Sequence, residues 1–428
     1  MKVVSTRGGG APVPLAEALL GGTAPDGGLF VPERLPRVEL NRPEGRTLAD
    51  AATAVLGPFF AGDRLAPELP EMISEAFTFP APLVPLRGPG DHLLELFHGP
   101  TAAFKDFGAR FLAACLRRLH RPEQGPRTVL VATSGDTGGA VAAAFHRMPG
   151  ARVVLLYPDG LVSPRQAHQL GAFGDNVSAL RVAGTFDDCQ RMVKAAFADR
   201  ELAGLGLTSA NSISLGRLLP QLAYHAHAAW RAGGTLHLVV PTGNLGNALA
   251  AVWARELGAP IGQIVLATNS NRALVDFFET GSYRGRPSIA TLANAMDVGD
   301  PSNFERLYWT FSDAGSLRRR VRAVSVDDRE ISRTIQEGER RHGQVLCPHT
   351  AAGVHALEQL RARGEAGNWA VAATAHPAKF ENIVEPLVGH PVPVPPALVE
   401  LLARPSHAEP LAADPFALRR WLLERGTA

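Results

Sequence analysis

The chain has 428 residues, 46% hydrophobic and 20% charged, which supports a sizeable core in two or three domains and excludes wholesale disorder. Its 43 basic and 41 acidic residues leave a net charge of +2, so nothing electrostatic favours nucleic acid or an acidic membrane as partner. Apolar stretches are strand-sized, short of the ~20 residues of a membrane span. Residues Met1 to Gly8 lack a signal-peptide core, and Cys115, Cys189 and Cys347 form no CxxC pair, as expected of a reducing cytoplasm without a disulfide or zinc scaffold.

Residues 1–85 are rich in Gly and Pro and predict irregular structure with short helices at 47–56 and 68–76. From about Pro126 the pattern changes. Apolar runs at 128–132, 152–157, 177–182, 236–240, 264–267 and 369–374 predict strands. Helical patterns intervene at 139–146, 186–198, 213–230, 245–257 and 351–363. This alternation predicts an α/β fold of open, twisted parallel sheets wound by right-handed crossovers. The strands are nearly continuous in apolar residues, as strands covered on both faces are. Residues 391–396 suggest an extended linker before a helical tail. In such sheets ligands bind beyond the carboxyl ends of strands, so the segments that follow the strands merit a close reading.

Only four of the 43 basic residues are lysines: Lys2, Lys105, Lys194 and Lys379. Arginine can carry charge but cannot form a Schiff base, so each lysine asks for a reason. Lys105 is flanked by Phe104 and Phe107. Apolar company lowers an amine pKa and makes a nucleophile; a stem snorkelling past Phe104 is the plainer reading. Ser134-Gly135-Asp136-Thr137 follows a strand and opens a helix. Such a loop can hold an anion such as a carboxylate, or simply cap its helix. Gly243-Asn244-Leu245-Gly246-Asn247 also lies between strand and helix. It is neither GxGxxG nor a P-loop, which leaves a single phosphate group or an ordinary turn. Thr374 ends the last strand, where its hydroxyl could meet a heteroaromatic nitrogen or cap the chain. His376 and Lys379 beside it read as ligand groups or as solvated or structural ones. Arg217, past Ser209-Ala210-Asn211-Ser212, is a phosphate candidate or one surface arginine among 39. An amine, a phosphate cradle and a second anion loop in one α/β chain suggest pyridoxal phosphate.

The segments 5–8, 98–108, 133–138, 209–217, 294–298, 348–351 and 374–380, taken together and in this order, resemble the threonine synthases of the bacterial and fungal type over nearly the whole chain. The resemblance implies a fold-type-II pyridoxal-phosphate enzyme with the cofactor in a cleft between two domains. It implies 1–85 as an N-terminal region, 86–127 with 202–395 as the large domain, 128–201 as a small inserted domain and 396–428 as a tail. It further implies that Lys105 forms the Schiff base and shuttles protons. Gly243, Asn244, Leu245, Gly246 and Asn247 would cradle the cofactor phosphate, with Thr374 at the ring nitrogen. Ser134, Gly135, Asp136 and Thr137 would grip the substrate carboxylate and Arg217 the substrate phosphate. Leu245 departs from the aromatic residue of many relatives, which matters little to a cradle made of backbone. The implied reaction turns O-phospho-L-homoserine and water into L-threonine and phosphate in a cytoplasmic monomer or homodimer, without metal. A phospholyase releasing 2-oxobutyrate from the same substrate would share every motif.

Overall fold

A computed structural model describes residues 1–36, 47–121, 123 and 125–426; residues 427 and 428 of the expected tail lie outside them. The strands, in chain order, begin with β1 (Lys2–Ser5), β2 (Val13–Pro14), β3 (Phe30–Pro32), β4 (Leu83–Pro85) and β5 (Asp91–Glu95). Next come β6 (Arg127–Ala132), β7 (Ala151–Pro158), β8 (Val177–Ala183), β9 (Leu207–Thr208) and β10 (Leu236–Pro241). The last are β11 (Ile261–Thr268), β12 (Val321–Ser325), β13 (Asn368–Ala373) and β14 (Glu409–Ala412).

They form three sheets. A six-stranded sheet runs β12-β11-β10-β13-β5-β4, parallel except for the β4–β5 pair. A five-stranded, wholly parallel sheet runs β14-β8-β7-β6-β9. The third is a small antiparallel sheet, β2-β1-β3. Both parallel sheets are covered by helices on two faces. Val239 and Leu238 of β10, for instance, are fully buried in different clusters on opposite sides.

Local chemistry explains the elements. The helices Phe186–Ala198 and Asp328–His342 each start at a capping box, Thr185 with Asp188 and Asp327 with Glu330, which satisfies two orphan N–H groups at once. The single helix expected over 213–230 is instead two, Leu215–Leu218 and Gln221–Arg231. Pro220 separates them, because its ring nitrogen has no hydrogen to donate. The N-terminal region is more regular than expected: β1 to β3 pair there, and the helix Leu48–Phe60 packs Phe59 and Phe60 into the core of the larger sheet. Residues 396–428, read above as a tail, also do more. Strand β14 joins the edge of the smaller sheet beside β8, and Leu418 and Leu422 of the final helix are buried on it. Among the described residues no helix is long and apolar enough to cross a membrane.

The strand order positions the site. Strand β10 lies between β11 and β13, and β13 lies between β10 and β5. The chain therefore leaves β10, β13 and β5 at neighbouring carboxyl ends, where the order reverses and a crevice opens.

Candidate active site

A cavity of about 1900 Å³ lies at these strand ends and is walled on its other side by the loop after β6. Lys105, Ser134, Asp136, Thr137, Arg217, Gly243, Asn244, Leu245, Gly246, Asn247 and Thr374 all line it. Of the residues expected to hold cofactor or substrate, Gly135 alone does not reach its wall. Its φ of 123° is open to glycine only, and a Cβ there would stand 2.6 Å from the Gln166 side chain.

Lys105 opens the helix Lys105–Leu119. The segment before it is clamped to β13: the Phe104 N–H donates to the Thr374 carbonyl at 2.8 Å, and Ala103 bridges to Ala375. The Asp106 carboxylate accepts from the Thr101 N–H at 2.9 Å and the Thr101 hydroxyl at 2.7 Å, which fixes the turn. Among the described residues the Lys105 amine has no ion pair. Burial, with help from Arg217 and Lys379 and against the pull of Asp136, lowers it to about 8. An amine in this range is partly neutral at physiological pH and available as a nucleophile.

The turn after β10 presents backbone rather than side chains. Asn244 donates through Nδ2 to Ser212 Oγ (2.7 Å) and accepts at Oδ1 from the Ser302 N–H (2.6 Å). Asn247 Oδ1 accepts from Tyr224 (2.9 Å) and His225 (2.7 Å). With both amide oxygens engaged, and Asn247 Nδ2 buried without a partner among the described residues, the N–H groups of residues 244–247 donate to no protein acceptor among the described residues. They open the helix Gly246–Glu256, a terminus that attracts anions. Leu245 takes a φ of 64° to make the turn. A Cβ on Gly243 would meet Met296 Cα at 2.8 Å. Bare N–H groups at a helix start, with backbone packed close behind, suit the phosphate end of pyridoxal phosphate.

The loop after β6 is built otherwise. Thr133 Oγ1 accepts from the N–H groups of Gly135 (3.0 Å) and Gly138 (2.8 Å). The hydroxyls of Ser134 and Thr137 make no hydrogen bond among the described residues. Asp136 Oδ1 meets Lys379 Nζ at 2.8 Å and Gln166 Nε2 at 2.9 Å. Lys379 and Lys105 hold this buried carboxyl well below the usual range, against the cost of burial.

Arg217 is only 3% exposed, so it is no surface cation. Its Nη1 donates to the Ala210 carbonyl at 2.5 Å, while Nε is buried without a partner. It has no carboxylate partner among the described residues, and burial pulls it down to about 10. Gly108, on the Lys105 helix, has Arg217 O at 2.7 Å from where its Cβ would be; this glycine lets the two segments close. Arg7 sits at the cavity mouth, paired with Glu305 at 3.1 Å.

The sequence reading gave no role to two side chains and no partner to a third. His349 lines the cavity, and its Nε2 accepts the Ala295 N–H at 3.1 Å. Burial lowers it to about 4, so the ring is neutral and supports the segment that packs on Gly243. Gln166 reaches in from the helix Pro164–Gly171. Lys379 is fully buried, not solvated, and donates to the Thr101 carbonyl at 2.7 Å as well as to Asp136. These residues lie far apart along the chain, so local pattern carries no sign of their contacts. His376, its neighbour, is lowered to about 4 by burial and stacks edge-on against Phe97.

Known proteins resemble this chain in sequence and in fold. The family described as pyridoxal-phosphate dependent enzyme matches residues 76–377, and the threonine synthase N terminus and C-terminal families match 2–77 and 350–421. Threonine synthase of Escherichia coli K12 is 38% identical, covering 99% of both chains. That of Saccharomyces cerevisiae is 33% identical over 86% of this chain and 85% of its own. Among solved structures, a PLP-bound threonine synthase from Brucella melitensis superposes with a TM-score of 0.90 at 34% identity, covering 100% of both chains. The Escherichia coli threonine synthase structure also gives 0.90, at 36% identity over 99% of this chain and 100% of its own. With three family matches spanning almost its entire length and full-length relatives above 30% identity, the chain belongs to the threonine synthase family of pyridoxal-phosphate-dependent enzymes.

Proposed function

We propose that the chain converts O-phospho-L-homoserine and water to L-threonine and inorganic phosphate. The observation that carries this reading is the convergence on one cavity of an activated lysine, a bare backbone cradle and a separate buried arginine with a free N–H. Two phosphate groups need two cationic or N–H-rich places, and the cradle and Arg217 offer one each.

Pyridoxal phosphate, when bound, supplies an electron sink for charge developing next to the substrate amine. Lys105 would hold it, with Gly243 to Asn247 around its phosphate and the Thr374 hydroxyl at its ring nitrogen. A neutral hydroxyl there keeps the ring a moderate sink. Ser134 and Thr137 hold the substrate carboxylate with their free hydroxyls, and the Gly135 backbone shapes the loop beneath them. Asp136 stands at the same edge, held by Lys379. Arg217 takes the substrate phosphate through its unpartnered side. Lys105 is the base that removes a proton from Cα and then one from Cβ; it returns one at Cγ after phosphate leaves and one at Cα after water has added. Water gives its hydroxyl to Cβ, and its remaining proton leaves with the phosphate.

In the larger domain we place 86–127 and 202–395, and in the smaller one 128–201. Strands β6, β7 and β8 of the smaller sheet and β5, β10, β11, β12 and β13 of the larger one support this division, whereas β4, β9 and β14 pair across its bounds. The three free, buried cysteines suit a cytoplasmic enzyme. Release of 2-oxobutyrate is not favoured, because the full-length relatives and structures are synthases. The test is incubation with O-phosphohomoserine while threonine, phosphate and 2-oxobutyrate are followed together. Equal threonine and phosphate are expected; phosphate matched by 2-oxobutyrate would overturn the reading.

A further inference from the structure

The first residues of two helices from the smaller sheet meet the segment just after β13 along a seam that centres on Lys379. Ser163 Oγ donates to the Lys379 carbonyl at 2.5 Å, and Arg165 Nη1 donates to the Ala378 carbonyl at 2.7 Å. The Arg165 N–H donates to Glu381 at 3.0 Å. Inside this seam the Lys379 side chain is wholly buried and crosses between the sheets to Asp136. Asp136 lines the cavity that also holds Lys105. Burying two opposite charges has a large desolvation cost and stabilises a fold poorly compared with apolar packing. Three hydrogen bonds already close the seam, so a buried ion pair there asks for another reason.

We propose that Lys379 is a positioning residue: by occupying the Asp136 carboxylate it keeps that acid from pairing with Lys105, and so leaves the Lys105 amine free to act as nucleophile and base. The geometry is direct. Asp136 Oδ1 already accepts from Lys379 Nζ at 2.8 Å and from Gln166 at 2.9 Å, whereas Lys105 makes no ion pair among the described residues. The charged and titratable groups facing Lys105 are Asp136 from one helix, Arg217 from another, neutral His349 from a third and Lys379 itself. Asp136 in turn faces Lys379, Lys105 and neutral His349. Asp136 is the one group that raises Lys105, and Lys379 opposes it. Without Lys379 the carboxylate would be a buried charge with a single remaining ammonium to turn to, and that ammonium is Lys105.

The inference rests on the reading of Lys105 as the active amine, and the test separates the two. The full-length chain is freed of cofactor with hydroxylamine, its fold checked by circular dichroism, and treated with cyanate over a pH series. Carbamylation is followed peptide by peptide, which four lysines make simple. In the wild-type chain Lys105 should reach half its maximal rate near pH 8; a half-point near the ordinary lysine value, about 10.4, would defeat the reading itself. Lys379→Met should move the half-point up by about one pH unit, so that at about pH 7.5 the rate falls roughly eightfold. Asp136→Asn should move it down, and the double variant should fall between the two single ones. The double variant buries no charge at this place and tests the idea even where Lys379→Met fails to fold: a double variant whose half-point rises like that expected of Lys379→Met alone would overturn it. Loss of thermal stability with no shift of the Lys105 half-point in any variant would equally overturn the proposal and leave Lys379 a clamp only.

Discussion

Two strand-to-helix turns face each other across the cavity and solve opposite problems. After β10, the side chains of Asn244 and Asn247 are drawn back onto Ser212, Ser302, Tyr224 and His225, and the backbone N–H groups are left bare. After β6, a side chain, Thr133, consumes the N–H groups of Gly135 and Gly138, and the hydroxyls of Ser134 and Thr137 are left free. The first turn is a rigid surface of fixed dipoles, suited to a group that stays. The second offers rotatable hydroxyls on a loop tied through Asp136 and Lys379 to the other sheet, suited to a group that comes and goes. The lesson is that a Gly- and Asn-rich turn and a Ser- and Thr-rich turn are not interchangeable anion sites, although both open helices.

The contrast can be broken at several points. Lys105 stands between the turns, and Lys105→Arg keeps the charge but cannot form an imine. Turnover should fall at least about a thousandfold, and borohydride should no longer fix cofactor to this peptide, as read by mass spectrometry. Next in size is Arg217→Ala. Loss of a buried charged hydrogen bond, worth about 1.5–3 kcal/mol, should lower kcat/KM for O-phosphohomoserine roughly 10- to 200-fold. Cofactor absorbance should stay the same; normal kinetics in a normally stable variant would remove Arg217 from the site.

The turns themselves should then respond differently. Gly243→Ala places a methyl 2.8 Å from Met296 Cα, and overpacking of about 1–3 kcal/mol should weaken cofactor binding roughly tenfold or more in a fluorescence titration. Thr133→Val leaves two buried N–H groups without their acceptor, at about 1–3 kcal/mol each. It should raise KM for substrate and lower the melting temperature while cofactor affinity holds. If both variants lose cofactor equally, the division of labour between the turns is wrong.

The smallest effect lies away from the cavity. His355 has Glu358 at 3.7 Å and Glu330 at 3.2 Å, and these carboxylates raise its pKa. A raised value in the folded state favours the protonated ring. Its stabilisation is complete below the unfolded value, about 6.5, and is lost as pH rises through the folded one. His355→Gln should therefore cost up to about 1 kcal/mol in acid and little in mild alkali, a difference visible in melting curves at the two pH values.

Much of this could be read along the chain. Continuous apolar runs mark β6, β7, β8, β10, β11 and β13 within a few residues, because a strand buried on both faces must be apolar throughout. Strands β5, β12 and β14 escaped: Asp91 and His92 begin one, Arg322 interrupts another, and Glu409 with Pro410 opens the third. Edge and partly exposed strands tolerate such residues, so their pattern is indistinct. The rarity of lysine drew attention to Lys105, since a residue type kept in only four places is informative by contrast.

Read along the chain, the sequence marks six central strands of the two parallel sheets, β6, β7, β8, β10, β11 and β13, and the turns at their ends that carry small, hydroxyl and amide residues. These are local matters of periodicity and backbone freedom. Tertiary packing alone settles that Arg217 is buried in the cavity wall, that Gly135 stands behind the wall, and that Lys379 reaches Asp136 across 243 positions of chain while Lys105 makes no ion pair among the described residues. The reason is physical. Burial and the choice of ionic partner depend on which strand lies beside which, and the sheet order β10-β13-β5 is set by the packing of the whole chain rather than by any stretch of it.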